Sequence, residues 1–380
     1  MLSMSKKVES LSLKEAQRIV MAKQMLDSPK KSPLKVIEHL GYVQIDTISV
    51  VERAHHHVFW SRCPKYQPSD LDKLVRNRKV FEYWSHAASF LPMRDYRFTL
   101  PMKKEFSKRE SSWYPKDEKL MKRVLKRIKK EGPLRSKDFQ REDGSKSSGW
   151  WDWKPAKKAL ERLFFEGKLE VSRREGFQKV YDLPENVIPS SVDTSMPSQK
   201  DYIRFLIQRT LRHHGLATAK EIGYLRKKNV VDAIRKELAE MLNSKEVVAI
   251  KIQNIEEPYF GDPKDLQSIP RIGSSLLILS PFDNFVIQRN KLNLFFNFDY
   301  QIECYLPEKK RKYGYFTLPI FKGVTPVGRV DCKAERDKKR LVVQSLHYEK
   351  KDYQDQLQKK IESKLKLFSK FNLCTEVFIR

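Results

Sequence analysis

The chain has 380 residues, more than one ordinary hydrophobic core supports, so several domains are expected. Lys and Arg number 76 against 48 Asp and Glu, a formal charge of +28, while 40% hydrophobic and 11% aromatic residues exclude a disordered basic tail. A folded chain with this surplus calls for an anionic partner, nucleic acid first and an anionic membrane surface second. The densest apolar run, Leu276-Leu277-Ile278-Leu279, falls far short of the roughly 20 residues that span a membrane. Residues 1–7 lack the apolar region of a secretory signal, so a cytoplasmic chain is expected. Cys63, Cys304, Cys332 and Cys374 stand far apart without a CxxC pair, which suits reduced thiols and argues against a zinc knuckle.

Taken in chain order, the first helix is signposted by the capping box Ser12-x-x-Glu15 and the stripe Leu13, Ala16, Val20. Pro33 opens a second helix that Gly41 stops. Val43-Gln44-Ile45-Asp46 alternates and is expected to be extended, with a further helix from Thr47 that carries Val50, Val51, Ala54 and Val58 on one side. Residues 120–130 form a basic amphipathic helix, 132–139 a turn and short helix, and 156–166 another helix. A hairpin with the basic tip Arg173-Arg174 follows. The same order recurs with helices over 201–213 and 231–242 and a strand over 247–252. Helix, turn, helix, helix and a two-stranded wing is the winged-helix plan. The expected fold is therefore α+β and multidomain: an N-terminal winged-helix-like unit (1–112), a second (113–190), a third (199–262) and a β-rich region (270–380). Strands are expected at 274–279, 299–305, 313–318 and 327–330, with a closing amphipathic helix over 353–371. The Pro- and Ser-rich segment 184–198 is the expected break in order between two units.

Several chemical signatures fail. Residues 144–149 have the outer glycines of a phosphate loop, but Trp150 stands where a lysine is required. The triplet His55-His56-His57 splays around a helix with no carboxylate or cysteine at ligand spacing, so no metal is expected there. Gln44 and Asp46 are two apart, and an extended strand turns both to one side, with Val43 and Ile45 in the core. An amide beside a carboxylate can hold and polarise one water; equally, Asp46 or Thr47 can cap a following helix. Arg53, His55, His56 and Arg62 supply phosphate donors, Trp84 and His86 add an aromatic group, and Arg173, Arg174 and Arg289 complete the expected DNA contacts.

The run from Leu40 through Gln44-Ile45-Asp46-Thr47 to Trp60-Ser61-Arg62 resembles the YcaQ/AlkX branch of the bacterial winged-helix DNA glycosylases, crosslink-repair relatives of AlkZ. Trp84-Ser-His-Ala-Ala-Ser-Phe-Leu-Pro92, Gly176-Phe-Gln-Lys-Val-Tyr-Asp-Leu-Pro184 and Ser280-Pro-Phe-Asp-Asn284 extend the resemblance across the chain. It implies tandem winged-helix units about a concave DNA channel and an active site at Gln44 and Asp46. One departure is Gln288, where an acidic residue is expected before Arg289. The implied enzyme hydrolyses the N-glycosidic bond of N7-alkylated guanine, unhooks interstrand crosslinks, acts as a monomer on double-stranded DNA and needs no cofactor. The competing class is a winged-helix transcription regulator, which would prefer one sequence.

Overall fold

The computed structural model describes residues 9–30, 32–111, 113–139 and 153–380. Residues 1–7, residues 144–149 and Trp150, all named above, lie outside these. The chain packs as two compact units, one of residues 1–68 and 203–380, the other of residues 69–202.

In the first unit, Ser12 and Glu15 close the capping box of the helix Leu13–Lys23, whose Ala16, Ile19, Val20 and Met21 are buried. The helix Pro33–Leu40 starts under the Ser32 cap and stops at Gly41, where φ is 77°. A Cβ at Gly41 would stand 2.7 Å from the Arg209 side chain, so the turn into the next segment requires glycine. A four-stranded sheet has the order Glu9–Leu11, Val248–Ile252, Ile255–Gly261, Leu216–Ala217. A five-stranded sheet runs Leu276–Ile278, Thr317–Lys322, Thr325–Glu335, Arg340–Tyr348, Glu376–Ile379 in space as in sequence, with the last pair parallel. Ile19, Ile250, Phe285, Phe295, Phe298 and Phe321 join helices and both sheets in one core.

The second unit holds the antiparallel hairpin Val80–Trp84 and Ala88–Pro92, then the helices Leu100–Lys108, Glu118–Glu131 and Trp153–Phe165. The helix Glu118–Glu131 buries Met121, Val124 and Ile128. Behind it, Leu134–Arg135, Gln178–Asp182 and Glu170–Glu175 form a three-stranded sheet in that order. Beneath this sheet Lys103 pairs with Glu170, both almost fully buried, and Tyr96 Oη donates to the same Glu170 oxygen at 2.8 Å.

The order of helix, short strand, short helix, helix and hairpin occurs twice. It runs from Glu118–Glu131 to Gln178–Asp182, and again from Gln199–His214 to Ile255–Gly261. Each time the short strand pairs with the second hairpin strand, Leu134 opposite Tyr181 and Leu216 opposite Gly261.

Four expectations need correction. The helix placed from Thr47 begins only at Ala54, because the polar groups of the preceding loop are taken by distant partners. Ala334 N donates to Val50 O at 2.8 Å and Glu52 N to Asn372 Oδ1 at 2.6 Å. The strand Val43–Gln44 ends before Asp46, and Ile45 is half-buried instead of in the core. Residues 299–305 form no strand, for the Glu303 carboxylate gathers the N–H groups of Lys312, Tyr313 and Gly314 and bends the chain into loops. Residues 184–198 are not a break: Val187 and Ile188 are buried and Asp193 pairs with Arg97 at 2.7 Å.

Candidate active site

Tyr42 and Val43 are buried, and they anchor the start of the Gln44-Ile45-Asp46 segment. The fully buried Asn284 fixes this start by donating its Nδ2 to Tyr42 O at 3.1 Å. Gln44 and Asp46 follow, both half-buried. Asp46 Oδ1 accepts the Ile48 N–H at 2.9 Å, closing a side-chain turn that sets the carboxylate's direction. Burial holds the Asp46 carboxyl above the ordinary aspartate value, opposed in part by the Ile48 and Thr47 N–H groups. Asp46 forms no ion pair with any of the described residues.

The Asp46 charge is felt by two residues from the loop after the helix Arg289–Phe296. Burial raises Cys304, and Asp46 raises it further. Tyr305, 72% exposed, is raised by burial, then by Cys304 and Asp46, while Arg289 lowers both. Asp46, Cys304, Tyr305 and Arg289 therefore share one electrostatic environment. Nothing in the sequence points to Cys304 and Tyr305, since their segment reads as a strand and adopts none.

The helix Ala54–Arg62 gives a different result from the one expected. Arg62 is 1% exposed, with its two terminal nitrogens 2.8 and 2.9 Å from the two Asp283 oxygens and its Nε 2.8 Å from Gln24 O. It is an internal strut and has no donor for a phosphate, which corrects the DNA-contact expectation. His55 is likewise buried, at 4% exposure, and that burial takes it out of the contact set. His56 is half-buried, with Nδ1 2.7 Å from Tyr66 Oη, and burial, then Arg53, pushes its pKa down to about 4. His57 bonds to Ile278 O at 2.9 Å, and burial pushes it down to about 4 as well. Both rings are neutral at pH 7. Arg53 is half-buried at the helix start. Gln288 fits its place without an acid: its Nε2 is 3.2 Å from Glu221 O and 3.4 Å from His214 Nε2.

In the second unit, Trp84 is 43% exposed, with Phe165 edge-on at 6.0 Å, and His86 is half-buried in the turn beyond it. Arg174 is clamped on Glu82, with two 2.7 Å bonds, and its guanidinium covers the Phe177 ring. Arg173 pairs with Glu175 at the exposed tip of the hairpin.

A family model described as DNA glycosylase AlkZ-like matches residues 37–371. The chain belongs to the AlkZ-like DNA glycosylase family. That match takes in the Gln44–Asp46 segment, the twice-repeated element order and the first four strands of the five-stranded sheet. Among solved structures the chain is similar to the Streptomyces sahachiroi DNA glycosylase AlkZ, with a TM-score of 0.65 over 98% of this chain and 99% of that one. Identity is 15%, so this likeness is one of fold. Membership makes this AlkZ-like chain an enzyme of the DNA glycosylase class, acting on DNA in repair, and sets it apart from sequence-reading regulators. Among the described residues no helix is long and apolar enough to cross a membrane.

Proposed function

We propose that this chain hydrolyses the N-glycosidic bond of N7-alkylated guanine in double-stranded DNA, including guanines joined in interstrand crosslinks. The observation that carries the reading is Asp46 itself: a half-buried carboxylate, aimed by the Ile48 N–H and in no ion pair with the described residues. Alkylation at N7 gives the base a positive charge, so it leaves without a general acid. What remains is to stabilise the oxocarbenium-like sugar and to deliver water. One carboxylate does this by its charge or by taking the water's proton as the new C–O bond forms. Asp46 takes that role in our reading and Gln44 positions the water.

The two repeated segments are proposed as winged-helix units within 113–190 and 199–262, with residues 1–112 as a related unit. Arg53, His56, Trp84, His86, Arg173 and Arg289 are the proposed DNA contacts. We propose a monofunctional enzyme. The buried Lys103 and Lys291, both lowered by burial, are held by Glu170 and Glu221 and are not free to form a Schiff base.

The test is incubation of the full chain with duplexes carrying N7-methylguanine or a nitrogen-mustard crosslink, followed by alkali and a denaturing gel. Alkali-labile sites at the lesion, lost by about 10²–10⁴-fold in rate with Asp46→Asn, are expected. Unchanged release by Asp46→Asn would sink the assignment of Asp46, and strand breaks without alkali would sink the monofunctional reading.

A further inference from the structure

Within the first unit, and lined by neither Gln44 nor Asp46, a hollow of about 310 Å³ opens between the helix Leu13–Lys23, the turn at Gly323 and the start of the helix Asp352–Phe371. Lys14 and Arg18 enter it from one helix face, four residues apart. Lys322 enters from the end of the strand Thr317–Lys322. Tyr353, Gln356 and Thr325 add an aromatic ring and polar groups, and Lys350 Nζ stands 5.7 Å from the centre of the Tyr353 ring.

No lining residue is acidic. Lys14, Arg18 and Lys322 form no ion pair among the described residues. Glu15 lies near Arg18, but its Oε2 is taken by the Ser12 N–H and hydroxyl at 2.8 and 2.7 Å. Asp352 and Asp355 flank Tyr353 along its helix and do not line the hollow. The wall is also built tightly. Gly323 has φ of 56°, and a Cβ there would stand 2.8 Å from Gly273 O, so glycine is required where the two backbones meet.

Three cations line one concave wall, and such a wall focuses their field on whatever enters. An anion with several oxygens matches the donors they offer: a guanidinium fork and two ammonium groups. We propose that this hollow is a phosphate-binding site, which takes either a phosphodiester of bound DNA or the phosphate of a free nucleotide. The proposal does not rest on Asp46, and undamaged DNA is the substrate of its test.

The full chain is titrated against a labelled undamaged duplex over a salt series, with Arg18→Glu, Lys322→Glu and, as a control of equal charge change, the exposed Lys359→Glu. In parallel, melting is followed with deoxyguanosine monophosphate and with inorganic phosphate. If the phosphate comes from DNA, the two pocket variants bind more weakly than the control. Their log–log salt slope flattens by about 0.9 for each phosphate they no longer neutralise. If it comes from a free nucleotide, deoxyguanosine monophosphate raises the melting temperature of the parent and not of the pocket variants. Either pattern supports the site. Variants that fold and match Lys359→Glu in both arms overturn it, leaving an ordinary basic hollow. Arg18→Gln and Lys322→Gln replace any reversal that fails to fold, and are read in the same way.

Discussion

Two aspartates of the same unit, one after the helix Ala54–Arg62 in sequence and one before it, meet opposite fates. Asp283 is fully buried, with a guanidinium across both its oxygens and the Phe285 N–H on one of them. Asp46 is half-buried, accepts backbone N–H groups and pairs with no cation among the described residues. A carboxylate that a fold uses for its own stability is neutralised where it is buried. One kept for chemistry must hold its charge without a partner, and the cost appears as a raised pKa. The contrast also shows how a surplus of cations can leave an acid unpaired: Arg62, which the sequence places among the basic residues after Asp46, is spent on Asp283.

The largest test of this contrast is to remove the strut. Arg62→Ala leaves Asp283 as a buried charge with no counter-ion, and stability should fall by about 3–5 kcal/mol, read as the urea midpoint at pH 7. The double variant with Asp283→Ala should cost less than the sum of the two single changes, because no orphan charge remains. If the costs simply add, the pair is not coupled as its geometry implies.

Asp46→Asn should behave in the opposite way. An amide oxygen can still accept the Ile48 N–H, and the desolvation cost of the charge disappears. Since burial holds the folded pKa above the unfolded one, the ionised group costs stability at neutral pH. That cost fades as pH falls through the folded value towards the unfolded one. Asp46→Asn should therefore melt at or slightly above the parent temperature at pH 7 and lose this advantage in acid. The same shift sets the catalytic pH profile. If base release needs the carboxylate, as proposed, single-turnover rates should fall in acid with an inflection above 3.8, the ordinary aspartate value. An inflection at or below 3.8, or a clear drop in melting temperature, would show that Asp46 is a structural acid like Asp283.

Local signals are legible in the sequence and nonlocal ones are not. The Ser12–Glu15 capping box, the Pro33 start and Gly41 stop, and the repeated helix and hairpin order are all written within a few residues of where they act. Gln44 and Asp46 are reached by resemblance and by a strand argument whose strand ends at Gln44. The partner of Arg62 lies 221 residues away, so in sequence this arginine reads as one more basic residue beside a DNA site. The loop from Thr47 to Arg53 reads as the start of a helix because its side chains have helical spacing, while Ala334 and Asn372 hold its backbone in another shape. The helix Arg289–Phe296 and the strands Arg340–Tyr348 and Glu376–Ile379 escape the sequence reading, the last because its partner strand lies across an intervening 20-residue helix.

The hairpin of the second unit carries the same contrast on a smaller scale, with arginines in place of aspartates. Arg174 is the committed one: Glu82 is 3% exposed and accepts both its bonds. Arg174→Ala should cost about 1–3 kcal/mol, by leaving Glu82 buried without its donor. Arg173 is the available one, at the exposed tip beside Glu175, where water screens the pair. Arg173→Ala should leave the melting temperature unchanged. If the tip lies on the duplex, affinity for undamaged DNA should weaken alike on all sequences, with a salt slope flatter by about 0.9. A flattened slope for Arg174→Ala with none for Arg173→Ala would mean that the Glu82 clamp opens on DNA. Commitment in the free protein would then be a poor guide to which charges the enzyme spends on its substrate.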